Sequence, residues 1–296
     1  MSLDADTELS GEVPRLFGSK RSQLFAGRRG IVASSMSIIV VVVALALILF
    51  RAPGAAAFRS YFMNFHDMWI SWVGDPKAGI SAMRDALFTN IWMFMIAEVL
   101  ILFFGLSLAW IRFSQSPVLL PFRILATVYS DIMRGIPIIL VIAIVGEGLP
   151  ALQLPFVSKL PLAVYGVVAL TLGYSAYVSE VLRAGIYSVP NGQLLAARSL
   201  GLTHRSTMRR VILPQAVRTV IPPLLNDFIS LQKDTALVSA LGAIEIFQAA
   251  QISQGALFNG GGLVVASIFF IVLTVPMTRF TDYLMARDRT RRLANS

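Results

Sequence analysis

Five charged side chains interrupt long apolar runs of this 296-residue chain and are its strongest candidates for chemistry. Asp131 and Arg134 are three residues apart, so on a helix they lie on one face and could pair with each other. Lys233 and Asp234 are adjacent at the end of a later run, and Glu98 is alone in an earlier one. A charge inside a membrane costs at least about 2.5 kcal/mol on insertion scales, so each of these side chains needs a partner inside the protein or a water-filled pathway.

Other kinds of chemistry are excluded by residue type and placement. The chain has no cysteine, which excludes disulfides, thiolate metal sites and a cysteine nucleophile. Its two histidines, His66 and His204, are far apart in sequence and fall on opposite sides of the membrane in the topology derived below. We therefore expect neither a metal site nor an intramembrane hydrolase.

The composition indicates a membrane protein. Hydrophobic residues make up 56% of the chain and charged residues only 14%, and the mean hydropathy is +0.73. The net charge of +9 could suggest nucleic acid, but in a membrane chain an excess of Lys and Arg more often marks cytoplasmic loops.

The elements that must position the charges are apolar runs of membrane-spanning length, about 20 residues each. They predict an all-α helical bundle with about six spans, at residues 31–50, 86–111, 119–145, 160–179, 214–231 and 263–284. The first exceeds the usual apolar length of a signal peptide, which is the competing interpretation. Pro222 and Pro223 predict a break in the fifth span, and residues 231–251 a half-helix or re-entrant segment.

The distribution of basic residues predicts the orientation. With the N-terminus inside, cytoplasmic segments hold most of the Lys and Arg residues, so both termini are expected in the cytoplasm. These residues are Arg15, Lys20, Arg21, Arg28, Arg29, Arg112, Arg123, Arg183, Arg198, Arg205, Arg209, Arg210, Arg218, Arg279, Arg287, Arg289, Arg291 and Arg292.

The predicted organisation has four parts. They are an N-terminal cytoplasmic tail (1–30), a first span with an outer segment (31–85), the main transmembrane domain (86–285) and a C-terminal cytoplasmic tail (286–296). In the outer segment, aromatic residues recur at helical spacing, which predicts an amphipathic helix at the outer interface. The residues are Phe58, Phe62, Phe65, Trp69 and Trp72.

The cytoplasmic stretch 191–216 carries four arginines and no acidic residue. Its pattern predicts two short helices, one beginning near Pro190 and Asn191 and one capped by Thr203, which meet at Gly201. A DNA-binding helix-turn-helix has a similar pattern, but spans on both sides leave no room for a third helix. The preferred interpretation is a protein-docking element whose arginines face acidic residues or lipid headgroups.

This stretch resembles the EAA loop of the permease subunits of bacterial ABC importers, over residues 190–214. Matching residues are Ala196, Ala197, Gly201, Val211, Leu213 and Pro214, whereas Leu195 replaces the usual Glu. The segments MRGIPIIL (133–140), YSAYVSEVLRAGIYSVPNGQ (174–193) and FISLQKDTALVSALG (228–242) resemble the polar amino acid branch of these permeases.

The resemblance implies a MetI-like fold and a non-catalytic subunit. ATP and Mg would bind to a separate ATPase dimer, since the chain has no G-x-x-x-x-G-K-[ST] phosphate loop and so no cofactor of its own. A second permease chain, identical or paralogous, and an extracytoplasmic solute-binding protein would complete the importer in the bacterial inner membrane. Coupling to the ATPase would use Leu195, Ala196, Ala197, Arg198, Gly201 and Pro214.

The implied substrate, a polar amino acid, is a zwitterion that needs a cation and a carboxylate along its path. Arg134, Lys233, Asp131 and Asp234 are the candidates, with Glu98 as a weaker one. Because the formal charges of the first four cancel, glutamine, glutamate or aspartate is preferred over cationic amino acids. A self-sufficient secondary transporter or channel is the alternative, although the inverted repeats common in such proteins are not evident.

Overall fold

The computed structural model describes the backbone of residues 28–114 and 116–294, and this part of the chain is helical with no β-strand. Residues 1–27 of the predicted N-terminal tail (1–30) and the last two residues of the C-terminal tail lie outside the described residues. Contacts divide the chain into two units, Met1–Ser60 and Tyr61–Ser296.

The described part of the first unit is a long apolar helix, α1 (Arg28–Arg51), and the start of α2 (Ala55–Phe62). The Arg59 guanidinium donates to the Leu49 carbonyl at 2.8 Å and lies 5.0 Å from the centre of the Phe50 ring. These contacts join the start of α2 to the end of α1. Most α1 side chains are exposed, as expected of a helix surrounded by lipid.

The second unit is a helical bundle whose most enclosed long helix is α7. In chain order, its elements are α3 (Phe65–Val73), α4 (Met83–Phe113), α5 (Leu120–Gly135), α6 (Ile138–Ala151), α7 (Leu162–Tyr187), α8 (Asn191–Ser199), α9 (His204–Thr207), a π-helical turn (Met208–Ile212), α10 (Leu213–Asp234), a 3-10 turn (Thr235–Leu241), α11 (Ile246–Leu257) and α12 (Gly261–Ala294). Helix α7 packs against α4, α5, α6 and α10.

Small residues on α7 allow this close packing. A Cβ atom at Gly166 would collide with the side chain of Val238, and one at Gly185 with that of Val220. Tyr165 and Leu170 are fully buried on the same helix, within 1% exposure. The sequence of α7 therefore combines large core residues with glycines where neighbouring elements approach most closely.

Within the described part of the chain, three helices are individually long and apolar enough to cross a membrane: Met83–Phe113, Leu162–Tyr187 and Gly261–Arg287. The number reaches six when each of three bent helix pairs is taken as one span. The prediction of about six spans in an all-α bundle is confirmed on that counting.

The predicted third span is not one straight helix. Helices α5 and α6 meet at a bend of 109°. Ile136, which precedes Pro137, has φ −99° and ψ 131°, the extended conformation that a following proline favours. The proline therefore ends α5 and redirects the chain.

The predicted break at Pro222 and Pro223 is wrong. Both prolines lie inside the continuous helix α10. The α-helix ends after both prolines, at Asp234, and the chain continues as the 3-10 turn Thr235–Leu241, which ends at Gly242 with φ 81°. Packing of α10 against α7 and α12 holds the helix through the tandem prolines, as neighbouring helices can do in a membrane bundle.

Candidate functional site

The stretch predicted to be a docking element forms two short helices around Gly201. Gly201 has φ +81°, and a Cβ there would meet no atom within 4 Å, so its backbone conformation rather than crowding favours glycine. The backbone N–H of Leu202 donates to the Ala197 carbonyl and closes the end of α8. The Thr203 hydroxyl oxygen accepts from the Ser206 N–H as the predicted cap of α9. Asn191 is the first helical residue and provides no side-chain cap.

The side chains of α8 separate into an inner and an outer face. Leu194 packs against a small core formed by Val189, Ile212 and Ala216. Ala197 is only 5% exposed and therefore belongs to the inner face. The outer face carries Leu195, 65% exposed, and just after the helix Leu200, 82% exposed.

This arrangement changes the predicted set of docking residues. Ala196 and Arg198 are exposed, whereas Ala197 is buried in this chain and does not present its methyl group to a partner. Pro214 lies in the first turn of α10 and is also exposed. Sequence reasoning missed Leu200, although a large apolar residue beside a positive-φ glycine is a signal for an exposed contact.

An ion-pair cluster lies where α4, α5 and α7 meet. The Glu180 carboxylate is 3.2 Å from the Arg112 guanidinium and 3.5 Å from that of Arg134, and it also pairs with Arg183. Arg112 also donates a 3.4 Å hydrogen bond to the Ser179 hydroxyl. One carboxylate thus pairs with arginines from three helices.

The cluster corrects the expectation that Asp131 and Arg134 could pair with each other. The ion pairs of the described residues join Arg134 to Glu180 and leave Asp131, which is exposed, outside the cluster. Arg183 pairs with Glu180 from the same helix. Arg112 is the member that sequence reasoning missed, because it lies on a different helix.

Acidic side chains and a tyrosine meet further along the bundle. The Tyr174 hydroxyl donates a 2.6 Å hydrogen bond to Asp234. Asp227 lies within electrostatic range of both Tyr174 and Glu98. Its Oδ2 atom is buried without a hydrogen-bond partner among the described residues. The arrangement brings Glu98 and Asp234 to one region, adds Asp227 to them, and places Lys233 on the exposed side of α10.

A buried polar network holds the broken segment against α4. The Asn90 amide donates to the Glu245 carboxylate at 3.1 Å and to the Thr235 hydroxyl at 3.0 Å. Its oxygen accepts from the Ile246 N–H at 2.9 Å, and Glu245 also caps α11 by accepting from Phe247 and Gln248 N–H groups. Glu245 is fully buried. The network fixes the start of α11 and holds residues 231–251, predicted as a half-helix or a re-entrant segment, within the bundle.

The outer segment forms two helices, α2 and α3, rather than the predicted single amphipathic helix. Asn64 interrupts it and caps α3 by accepting from the His66 and Asp67 N–H groups. Asp67 accepts a 2.7 Å hydrogen bond from Asn259, next to the start of α12. Phe65 is 81% exposed and Trp69 is 65% exposed, as expected of aromatic anchors at an interface.

Comparison with known proteins agrees with this architecture. Residues 101–289 match the family model described as the inner membrane component of binding-protein-dependent transport systems. The probable glutamine ABC transporter permease protein GlnM of Bacillus subtilis (strain 168) is 36% identical over 184 residues, which cover 62% of this chain and 82% of that protein. The L-cystine transport system permease protein TcyB of the same organism is 41% identical, over 52% of this chain and 64% of that protein.

Two solved structures resemble the chain. A crystal structure of an amino acid ABC transporter with histidines matches with a TM-score of 0.64 and 30% identity, covering 69% of this chain and 93% of that one. An inward-facing structure of the MetNI methionine ABC transporter matches with a TM-score of 0.57 and 17% identity, over 72% and 98% of the two chains. The second likeness concerns the fold alone. The chain belongs to the family of inner membrane components of binding-protein-dependent transport systems, the permease subunits of ABC importers.

Proposed function

We propose that this chain is the non-catalytic permease subunit of an ATP-driven importer for polar amino acids. The observation that carries the proposal is the exposed end of α8, where Leu195 and Leu200 project beside Gly201. Such a surface offers an ATPase subunit an apolar contact on a short helix that is itself anchored in the bundle through Leu194. ATP and Mg bind to that separate ATPase.

The complete importer contains two permease chains, an ATPase dimer and a solute-binding protein on the opposite side of the membrane. Closure of the ATPases moves α8, and packing of α8 against the start of α10 transmits that movement to the membrane helices. Family membership supports this mechanism over a self-sufficient transporter or channel.

The acidic region of Glu98, Asp227 and Asp234 is the proposed contact for the substrate ammonium group. The free Oδ2 atom of Asp227 supports this role, because a buried acceptor without a donor can accept one from a ligand. Lys233 is the remaining candidate cation for the substrate carboxylate, since Arg134 already pairs with Glu180. The cancelling charges of the four candidate residues therefore no longer support the preference for glutamine, glutamate or aspartate as substrate. That preference now depends on similarity to GlnM.

The proposed orientation has both termini in the cytoplasm. Ala78, between α3 and α4, and Ser199, at the end of α8, are exposed and lie on opposite sides in this topology. Single cysteines at these positions of the cysteine-free chain should react with a membrane-impermeant maleimide from opposite sides of oriented vesicles. Labelling of both positions from the same side would contradict the orientation.

Transport in proteoliposomes tests the function. The chain, its ATPase and its binding protein should together import glutamine in an ATP-dependent manner, with arginine and cystine as competing substrates. Asp227→Asn should reduce uptake at least about ten-fold, the effect of roughly 1.4 kcal/mol, while ATP hydrolysis without substrate is maintained.

Asp131→Asn is the matched control, because Asp131 is exposed and lies outside the ion-pair cluster. Uptake that proceeds without ATP would refute the importer mechanism. Equal losses of uptake in Asp227→Asn and Asp131→Asn would show that Asp227 does not contact the substrate. Import restricted to arginine would overturn the substrate preference.

A further inference from the structure

Three arginines of the cytoplasmic stretch are used neither by the coupling surface nor by the proposed substrate path. Arg205, Arg209 and Arg210 surround a cavity of about 520 Å³ that is completed by Thr203 and Ser206. Among the described residues, none of the three arginines has an ion pair or a hydrogen bond to a side chain that would neutralise it. Of the described residues that line the cavity, none is acidic. The cavity therefore brings together three guanidinium groups and two hydroxyl groups with no carboxylate of the described chain among them.

An apolar groove is lined in part by the start of α10, where Leu213 follows Arg210 of the cavity by three residues. It has a volume of about 690 Å³ and lies between the ends of α4 and α7 and the start of α10. Its floor includes the buried Ala109 and Ala216, and its walls include Trp110, Leu213 and Val217. The volume of the groove is sufficient for a hydrocarbon chain, and among the described residues that line it only Ser107 carries a hydroxyl group.

Residues that line the cavity and residues that line the groove share one helical face. Arg209 and Arg210 precede Leu213 by four and three residues, and Val217 follows Leu213 by four, so all four lie on one side of the π turn and α10. At the α-helical rise of about 1.5 Å per residue, three to four residues correspond to roughly 4.5 to 6 Å along the helix axis, so the arginines precede Leu213 by about one turn. The arginines therefore lie at one end of an apolar groove. A lipid has the same arrangement, with its charged headgroup at one end of its acyl chains.

We propose that the cavity and the groove form one binding site for an anionic phospholipid. The headgroup phosphate accepts hydrogen bonds from the arginines, and one acyl chain lies along Trp110, Leu213 and Val217. The assignment of this lipid to the cytoplasmic leaflet rests on the orientation in the proposed function. Basic pockets between membrane helices on that side are suited to anionic headgroups, which the surface of that leaflet supplies.

A lipid fits these observations better than acidic side chains of the ATPase. Trp110 is 67% exposed, and exposed tryptophans favour the depth of the headgroups. The proposed ATPase contact, by contrast, is at Leu195 and Leu200 on the other side of the Gly201 turn. The arginines thus lie closer along the chain to the membrane-embedded part of α10 than the coupling surface does.

The test uses Trp110 as a reporter. Trp69, Trp72 and Trp92 are replaced by Phe, and the purified full-length chain is placed in phosphatidylcholine bilayers that contain brominated phosphatidylglycerol or brominated phosphatidylcholine. Brominated phosphatidylglycerol should quench Trp110 fluorescence at much lower mole fraction than brominated phosphatidylcholine. Arg209→Gln/Arg210→Gln should lower that preference on the order of ten-fold, because both arginines contribute to attraction of the anionic headgroup.

Arg279→Gln/Arg287→Gln is the matched control, since it removes the same charge from exposed positions of α12 outside the cavity. Native mass spectrometry of the unmodified chain should also retain phosphatidylglycerol over phosphatidylcholine, which gives a result if the tryptophan variant does not fold. Neither measurement involves ATP or transport, so the outcome is separate from that of the proposed function.

Three results would overturn the proposal. Equal quenching by the two lipids would show that the groove accepts any acyl chain. Equal losses of the preference for phosphatidylglycerol in both double variants would show that the lipid is attracted by general surface charge and not bound at a site. An unchanged lipid preference in Arg209→Gln/Arg210→Gln, together with loss of the co-purifying ATPase, would assign the arginines to the protein partner.

Discussion

Glu180→Gln is expected to destabilise the helical bundle by about 3 to 5 kcal/mol, the cost of leaving a buried charge without its partner. Arg112 is the reason for so large an effect, since only 7% of its side chain is exposed and Glu180 is the carboxylate it contacts. Arg134 and Arg183 converge on the same carboxylate and would repel Arg112 and each other once it is neutral. The variant should show a lower unfolding temperature in detergent and less monodisperse protein on size-exclusion chromatography.

An exposed ion pair of the same chain provides the control. Arg84 and Asp85 are 3.5 Å apart with side chains 56% and 76% exposed, so Asp85→Asn should change the stability by no more than about 1 kcal/mol. Comparable shifts in unfolding temperature for the two variants would mean that Glu180 contributes no more than a surface charge. Replacing Arg112 together with Glu180 by neutral residues should recover part of the stability, because both buried charges are then removed.

Span positions were largely predictable because the hydrophobic requirement of a membrane acts on each segment separately. The run 86–111 became Met83–Phe113, and Gly201 adopted the positive φ expected of a turn between short helices. Proline positions predicted helix breaks less well. Pro137 ends a helix, whereas Pro222 and Pro223 do not, since the outcome depends on whether neighbouring helices hold the chain straight.

The composition of the candidate sites was less predictable, because helical periodicity identifies a face but not what packs against it. Asp131 and Arg134 share a helix, yet Arg134 pairs with Glu180 on another one. Asn90 contacts Glu245, which is 155 residues away in sequence. Both contacts depend on how α4, α5, α7 and the segment before α11 are arranged in space, which no local sequence pattern specifies.

The two short helices around Gly201 were predicted in position, but the exposure of their individual side chains was not. Ala197 was expected to contribute to coupling with the ATPase, and it is instead buried against this chain. Leu195 and Leu200 are the exposed apolar residues, and Leu195 occupies the place where the family pattern has a carboxylate. An apolar contact therefore substitutes at that place for an ionic one in the proposed complex.

Leu200→Asp is expected to separate the permease from its ATPase. Leu200 is 82% exposed in the isolated chain, so the substitution should leave the bundle folded. In the complex, an aspartate at the centre of an apolar contact would lose its hydration without gaining a partner, which costs several kcal/mol. Co-purification of the ATPase and ATP-driven uptake should both fall by at least about 100-fold, the effect of roughly 2.7 kcal/mol.

Phe156→Asp is the matched control, since Phe156 is 90% exposed in the connection between α6 and α7 and lies on the opposite side of the membrane in the proposed topology. It should leave ATPase association unchanged. The backbone provides a second comparison. Gly201→Ala strains a residue at φ +81° and should weaken coupling, whereas Gly192→Ala, also in open space but without a positive φ, should not. If Leu200→Asp retains the ATPase as firmly as Phe156→Asp does, the contact must lie elsewhere on the cytoplasmic surface, and the exposed leucines of this element have another role.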